Sequence, residues 1–274
     1  MTNGEQSALW NGASGRTWVE SQEFLDQLFT PFETLLADAA AARAPRSVLD
    51  IGCGTGATTL AIARRLGGGA TCVGLDVSEP MLALARARAA REGSSAQFIR
   101  ADAQTHAFAP ASVEMMVSRF GVMFFDDPVA AFANLRRAAT RDVALRLIAW
   151  RSAAENPFMT AAERAAAPLL PELPPRNPDG PGQFGFGDEK RVRDILESSG
   201  WSGIDIRPID VECAFPARAL DSYITRLGPV GRVLQDADER TRSTVMATIR
   251  PAFDPYLQGG DVRFVAACWM VSTG

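Results

Sequence analysis

LDIGCGTG, residues 49–56, continues a short apolar run (SVLDI, 47–51), crosses three glycines and enters ATTLAIARRL (57–66), which stops at Gly67, Gly68 and Gly69. An apolar run broken by glycine and followed by helical periodicity reads as strand, turn, helix. Gly52, Gly54 and Gly56 occupy the turn, where a missing side chain lets the backbone bend sharply and approach a ligand at the start of a helix. Working outward, the unit repeats. TCVGLD (71–76) is a strand, EPMLALARARAAREG (79–93) a helix and AQFIRAD (96–102) a strand; VEMMVS (113–118), PVAAFANLRRAAT (128–140) and DVALRLIAW (142–150) continue as strand, helix, strand. Alternation of this kind, with right-handed crossovers, predicts an α/β fold with a doubly wound parallel sheet.

Before this core, Phe24, Leu25, Leu28, Phe29, Phe32, Leu35 and Leu36 recur at helical spacing, so residues 20–43 read as an amphipathic helix with Pro31 as a kink or break. After it, PLLPELPPRNPDGPGQFGFG (168–187) is long and irregular for a connector, as lids are. Then follow a helix (188–200), a strand (202–212), a helical segment at about 217–258 and a closing strand at 264–271. The expected organisation is one domain over 1–274. Its core would be 45–150, 188–211 and 262–272, and its lid elements 1–44, 151–187 and 212–261.

The chain has 274 residues, 47% hydrophobic and 22% charged, the balance of a soluble globular protein. Its net charge is −4, its pI is near 5.2 and its basic residues are scattered, which argues against a nucleic-acid partner. Lys190 is the sole lysine, all other basic residues being arginine. The four cysteines, at 53, 72, 213 and 268, have neither zinc-knuckle nor redox-dithiol spacing, so no metal is expected and the thiols should be reduced. MTNGEQSALW lacks a basic stretch followed by an apolar run, and the longest apolar segment, FVAACWMV, has only strand length. A cytoplasmic chain without a membrane span is expected.

Three acids follow successive strands: Asp50 before the first glycine, Asp76 twenty residues beyond Gly56, and Asp102 after the third strand. Asp50 could hold a cationic amino group, Asp76 ribose hydroxyls and Asp102 the exocyclic amine of an adenine. Because Gly52, Gly54 and Ala57 also fit GxGxxA, glycine count alone does not separate a nicotinamide site from an S-adenosylmethionine site. At LDIGCGTG (49–56), VGLDVSEPML (73–82), ADAQTHAF (101–108) and VEMMVSRFGVMFF (113–125), however, the chain resembles class I S-adenosylmethionine-dependent methyltransferases, particularly the group similar to ubiquinone and menaquinone biosynthesis enzymes. That resemblance implies a Rossmann-like seven-stranded, mostly parallel sheet with an antiparallel last strand and helical lid insertions.

It also implies roles. Asp50 and the backbone of Gly52, Cys53, Gly54 and Gly56 would hold the amino acid end of the cofactor, and Asp76 with Val77 its ribose. Met81 would pack on adenine, Asp102 and Ala103 would meet its amine edge, and Ser118 and Phe120 would line the sulfonium side. Trp18 is a candidate for the cofactor's cation. This sequence departs from the family pattern at Glu114, where an aspartate is usual, and at RRAATRDVAL, which replaces a Lys-Pro-Gly-Gly-like turn. Both departures lie at element starts, away from the expected cofactor end.

The implied function is methyl transfer from S-adenosylmethionine, leaving S-adenosylhomocysteine, to an O or N atom, and less readily a C atom, of a small organic molecule by in-line displacement. The fourth-strand end, Ser118-Arg119-Phe120-Gly121, lacks the Asn-Pro-Pro-Tyr type seen in methyltransferases of nucleic-acid amino groups and glutamine, which favours a small-molecule acceptor. His106 and Arg119 are the catalytic candidates, with a loop residue and an ion-paired residue as the structural alternatives. Trp10, Trp150, Arg151, Asn156, Tyr223 and Arg226 are candidates for the acceptor pocket, because open sheets bind ligands beyond their strand C-termini. Asp126 and Asp127, ahead of Pro128, suit helix capping. A homodimer stays open. The rival readings are a nicotinamide-dependent reductase, although no Tyr-x-x-x-Lys pair is present, and a cofactor-binding protein of this fold without methyl-transfer activity.

Overall fold

The structure is a computed structural model in which residues 3–171, 173, 176–177 and 180–273 are described. Five parallel strands open the sheet: β1 (Ser47–Ile51), β2 (Thr71–Asp76), β3 (Gln97–Arg100), β4 (Val113–Arg119) and β5 (Ala139–Trp150). β6 (Asp205–Pro216), a two-residue β7 (Leu257–Gln258) and β8 (Asp261–Thr273) complete it. The order is β3-β2-β1-β4-β5-β8-β6, with β7 hairpinned onto β8 off this path. β8 runs antiparallel to both β5 and β6. The sheet is therefore the expected mostly parallel one with an antiparallel last strand, plus one short hairpin arm. From β1 the chain winds outward through β2 and β3, then returns to β4 on the other side, so the ends of β1 and β4 flank a switch point.

The helices are α1 (Asn3–Asn11), α2 (Ala13–Glu20), α3 (Gln22–Arg43), α4 (Ala57–Leu66), α5 (Glu79–Glu92) and α6 (Pro128–Ala138). The second half adds α7 (Ala161–Ala166), α8 (Glu189–Ser198), α9 (Leu220–Arg226), α10 (Gly228–Asp236) and α11 (Glu239–Ile249). In α3 the apolar face Leu25, Leu28, Phe29, Phe32 and Leu36 is buried, and the helix runs unbroken through Pro31 before Ala44 ends it in a left-handed conformation (φ 49°). Pro31 removes one backbone donor, but burial of this apolar stripe outweighs that loss. The segment before it forms two further helices, and the helical stretch at 217–258 divides into α9, α10 and α11 with 3₁₀ turns on either side. β5 begins directly where α6 ends, so the RRAAT segment is a helix-to-strand junction without a glycine turn.

Glu114, at the start of β4, accepts from the Arg46 backbone N–H (2.8 Å) and pairs with its guanidinium (2.6 Å). Both departures from the family pattern thus stand at strand starts, opposite the glycine loop. Asp127 caps α6 by accepting from Ala130 N–H at 2.9 Å. All four cysteines are buried and unpaired. No described helix is long and apolar enough to cross a membrane, and the described residues hold no cluster of potential metal ligands.

Candidate cofactor and acceptor site

At the end of β1 the loop is pinned to β2 by its own backbone. Gly52 and Cys53 N–H both donate to Leu75 O (2.8 and 3.0 Å), and Gly54 N–H donates to the Asp76 carboxylate (2.8 Å). Gly52, Gly54 and Gly56 take φ of 68°, 55° and 85°, the left-handed region open to glycine. Gly52 also needs its bare Cα, since a Cβ there would lie 2.7 Å from Gly121 Cα. The turns after β1 and β4 therefore touch back to back. Ser118, wholly buried, ties them together by donating to Ile51 O (2.7 Å) and accepting from Gly121 N–H (3.2 Å).

A cavity of about 730 Å³ opens from this loop towards α2, α3, α7, α9 and α10, within the usual range of small-molecule sites. Gly52, Gly54, Asp76, Val77 and Met81 line its loop end, with Asp102 and Ala103 beside them. Phe120, Arg119, Trp150, Tyr223, Arg226, Trp10 and Trp18 form further wall. Phe120 holds φ 64°, costly for a residue with a Cβ (~1–2 kcal/mol), and its ring stacks on Trp150 at 4.7 Å. The stacking and the contacts of Phe29 and Phe32 hold the ring against that strain.

Other sequence candidates stand elsewhere. Asp50, Cys53 and Gly56 lie behind the wall: Gly56 packs on Phe98 and Ala85, and burial holds the Cys53 thiol well above its usual range. His106 sits in the loop after β3, where its ring meets Phe108 edge-on (4.6 Å) and its carbonyl accepts from Asn134. It does not reach the cavity, which favours the loop-residue alternative. Arg151 points away to pair with Glu155 (3.0 Å) and Asp210 (2.9 Å). Asn156 is buried in the structural frame, bonding both Ala267 O (2.9 Å) and Ala267 N–H (3.0 Å) and so taking the place of a strand neighbour for β8.

Arg119 reaches the wall without an ion pair within 4 Å among the described residues. Its guanidinium lies over Phe29 (5.6 Å) and donates to Phe29 O (3.4 Å). Burial lowers its proton affinity, and the charges of Asp26, Glu33 and Asp50 oppose that. Sequence periodicity did not reveal that Leu25, Leu28 and Phe29 would face a void, since a helix stripe reads the same against a core. Phe158 and Phe253 carried no local signal at all; tertiary packing alone brings them to the wall.

The loop fits a nucleoside cofactor that carries an amino acid end. Backbone N–H groups and the Asp76 carboxylate converge at its mouth; behind the wall, the buried Asp50 Oδ1 has no hydrogen-bond partner among the described residues, while Oδ2 accepts from Thr59 (2.6 Å). Burial pushes the Asp50 carboxyl from an ordinary 3.8 up to about 6. The native state therefore keeps a proton that the unfolded chain has already released between about pH 4 and 6, so stability falls as pH rises across that window. Asp50→Asn retains an acceptor for Thr59. It is expected to raise the stability of the free protein by about 3 kcal/mol at pH 7 and by only a fraction of that at pH 4, as urea denaturation at the two pH values would measure.

The comparisons with known proteins agree with this chemistry. A family described as a methyltransferase domain matches residues 48–142. Nocamycin O-methyltransferase of Saccharothrix syringae is 28% identical over 202 residues, 70% of this chain and 71% of that enzyme. Demethylmenaquinone methyltransferase of Thermus thermophilus is 36% identical over 100 residues, 36% of this chain and 45% of that one. The crystal structure of the YcgJ protein of Bacillus subtilis shares the fold, with a TM-score of 0.57 at 17% identity over 88% of this chain and 96% of that one. Strand-ending glycines with acids at the next strands serve more than one cofactor, but the matched domain and the enzymes sharing this core favour S-adenosylmethionine: residues 48–142 carry a methyltransferase domain, and the chain is similar to class I S-adenosylmethionine-dependent methyltransferases.

Proposed function

We propose that this methyltransferase acts on an oxygen of a small, largely apolar organic molecule held between the glycine loop and the helical lid elements. The observation that carries this reading is the continuity of the cavity. Its loop end is polar and glycine-built, and its far end is walled by Leu25, Phe29, Trp150, Phe158, Tyr223 and Phe253. Large rings on that side suit a flat apolar body. The similarity to nocamycin O-methyltransferase supports oxygen over nitrogen.

When bound, the cofactor supplies an electrophilic methyl group on a sulfonium, so the chain's task is to align the acceptor in line and exclude water. Asp76 and Val77 would hold the ribose, Asp102 and Ala103 the adenine edge, and Met81 the face of the base. Phe120 and Trp150 would shield the reacting centre. Burial of Glu163 on the lid side of the wall raises its proton affinity against the pull of Arg176, which suits that carboxylate to accept a hydroxyl proton.

The test is incubation of the purified protein with methyl-labelled S-adenosylmethionine and a panel of hydroxylated aromatic, enolic and carboxylic compounds, each paired with its amine counterpart. Label is expected on oxygen carriers with ring systems. Label confined to the amines would replace oxygen by nitrogen, and no transfer to any compound despite tight S-adenosylhomocysteine binding would count against the proposed acceptor class.

A further inference from the structure

We infer that Gln6 and Ser14, carried on the N-terminal helices α1 and α2, hydrogen-bond the bound cofactor and complete its site from the side opposite the glycine loop. This rests on the cofactor reading above and extends it to a segment that the matched domain does not include.

Both residues line the cavity, and both are buried, Gln6 to 4% and Ser14 to 8% exposure. Among the described residues, neither Nε2 nor Oε1 of Gln6 has a hydrogen-bond partner, nor has Oγ of Ser14. Native proteins rarely leave buried polar atoms in that state, and an amide with both ends unmet calls for a ligand that donates and accepts. The cofactor's ribose hydroxyls and amino acid end do both.

The cap is fastened to the cofactor end of the sheet. Asn11 Nδ2 donates to Val77 O (3.0 Å), Glu79 N–H donates to Asn11 Oδ1 (3.0 Å), and Ser78 Oγ donates to Trp10 O (2.6 Å). These bonds fall on the segment that directly follows Asp76. Gly15 sits so close to Ser78 that a Cβ there would lie 3.0 Å from its hydroxyl. Ser14 thus stands over the same segment, and Gln6 lies one helical turn before Trp10 on the same face of α1.

A residue kept for ligand binding and one kept for structure respond oppositely to loss of polarity. Gln6→Met keeps the length and removes the unmet amide, and Ser14→Ala removes only the hydroxyl. Thermal melting of the free proteins and calorimetric titration with S-adenosylhomocysteine are read together, beside wild type. Each variant is expected to melt at or above the wild-type temperature and to bind S-adenosylhomocysteine about five- to tenfold more weakly. Affinities within twofold of wild type for both variants would overturn the inference, whatever the melting temperatures. Failure of wild type itself to bind would instead overturn the cofactor reading, and the inference with it.

Discussion

Asp76→Ala is expected to weaken S-adenosylhomocysteine binding about a hundredfold in calorimetric titration. The carboxylate already accepts from Gly54 N–H (2.8 Å) and Ser78 N–H (2.9 Å). A carboxylate has about four acceptor sites, so the remaining ones can serve ribose hydroxyls where Asp76 lines the cavity. Charge-assisted bonds of this kind contribute ~1.5–3 kcal/mol, and the upper end corresponds to about a hundredfold in affinity. The upper end applies because the alanine variant also releases the glycine loop and the segment that carries the N-terminal cap. Asp76→Asn, which keeps an acceptor but not the charge, should fall in between, near tenfold. If the alanine variant bound as wild type does, the ribose role of Asp76 would be untenable.

Gly121→Ala should be nearly as damaging, for a steric reason alone. Gly121 sits at φ −79°, ψ −41°, an ordinary right-handed conformation, so alanine meets no backbone penalty there. Its added Cβ would, however, fall 2.5 Å from Ile51 O and 2.8 Å from Gly52 Cα, both main-chain atoms at the end of β1. Either the glycine loop or the turn after β4 must move. The expected cost is about 2–3 kcal/mol of stability, the upper part of the range for forced overpacking, together with at least a tenfold loss in S-adenosylhomocysteine affinity. Gly69→Ala is the control, because a Cβ there meets nothing within 4 Å and should change neither quantity. Equal behaviour of the two variants in urea denaturation would contradict the close approach of these turns.

The parallel core was readable because its information is local. SVLDI, TCVGLD and VEMMVS announce strands by short apolar runs, and the intervening helices by their period, so crossover rules ordered the sheet. The closing strand was recognisable too, although it proved to be Asp261–Thr273 rather than 264–271. Pro31 was misleading, since a local rule against proline inside helices yielded to burial of the face formed by Leu28, Phe32 and Leu36. The N-terminal helices were missed for the opposite reason. WNGASGRTWVE has two glycines and weak periodicity, and its helices are held by contacts with residues 77–79, more than sixty positions away.

The same division runs through the site. LDIGCGTG with Asp76 and Asp102 pointed to one end of the cavity, which Gly52, Gly54, Asp76 and Asp102 line, because a strand, a glycine turn and an acid at a strand terminus are defined by neighbours in the chain. Which side chains face the cavity is a different kind of fact. Arg119 and Arg151 each follow or end a core strand and look alike in sequence, yet one reaches the wall and the other turns to Glu155 and Asp210. Asn156 serves as a strand neighbour for Ala267, 111 residues later. By itself the sequence determined the sheet, the loop and the family resemblance, since these depend on residue order and backbone freedom over a few positions. Only the tertiary structure decided the cavity wall and the two polar groups of the N-terminal cap, because a void is defined by side chains from helices and loops far apart in the chain, and no single segment records what it will face.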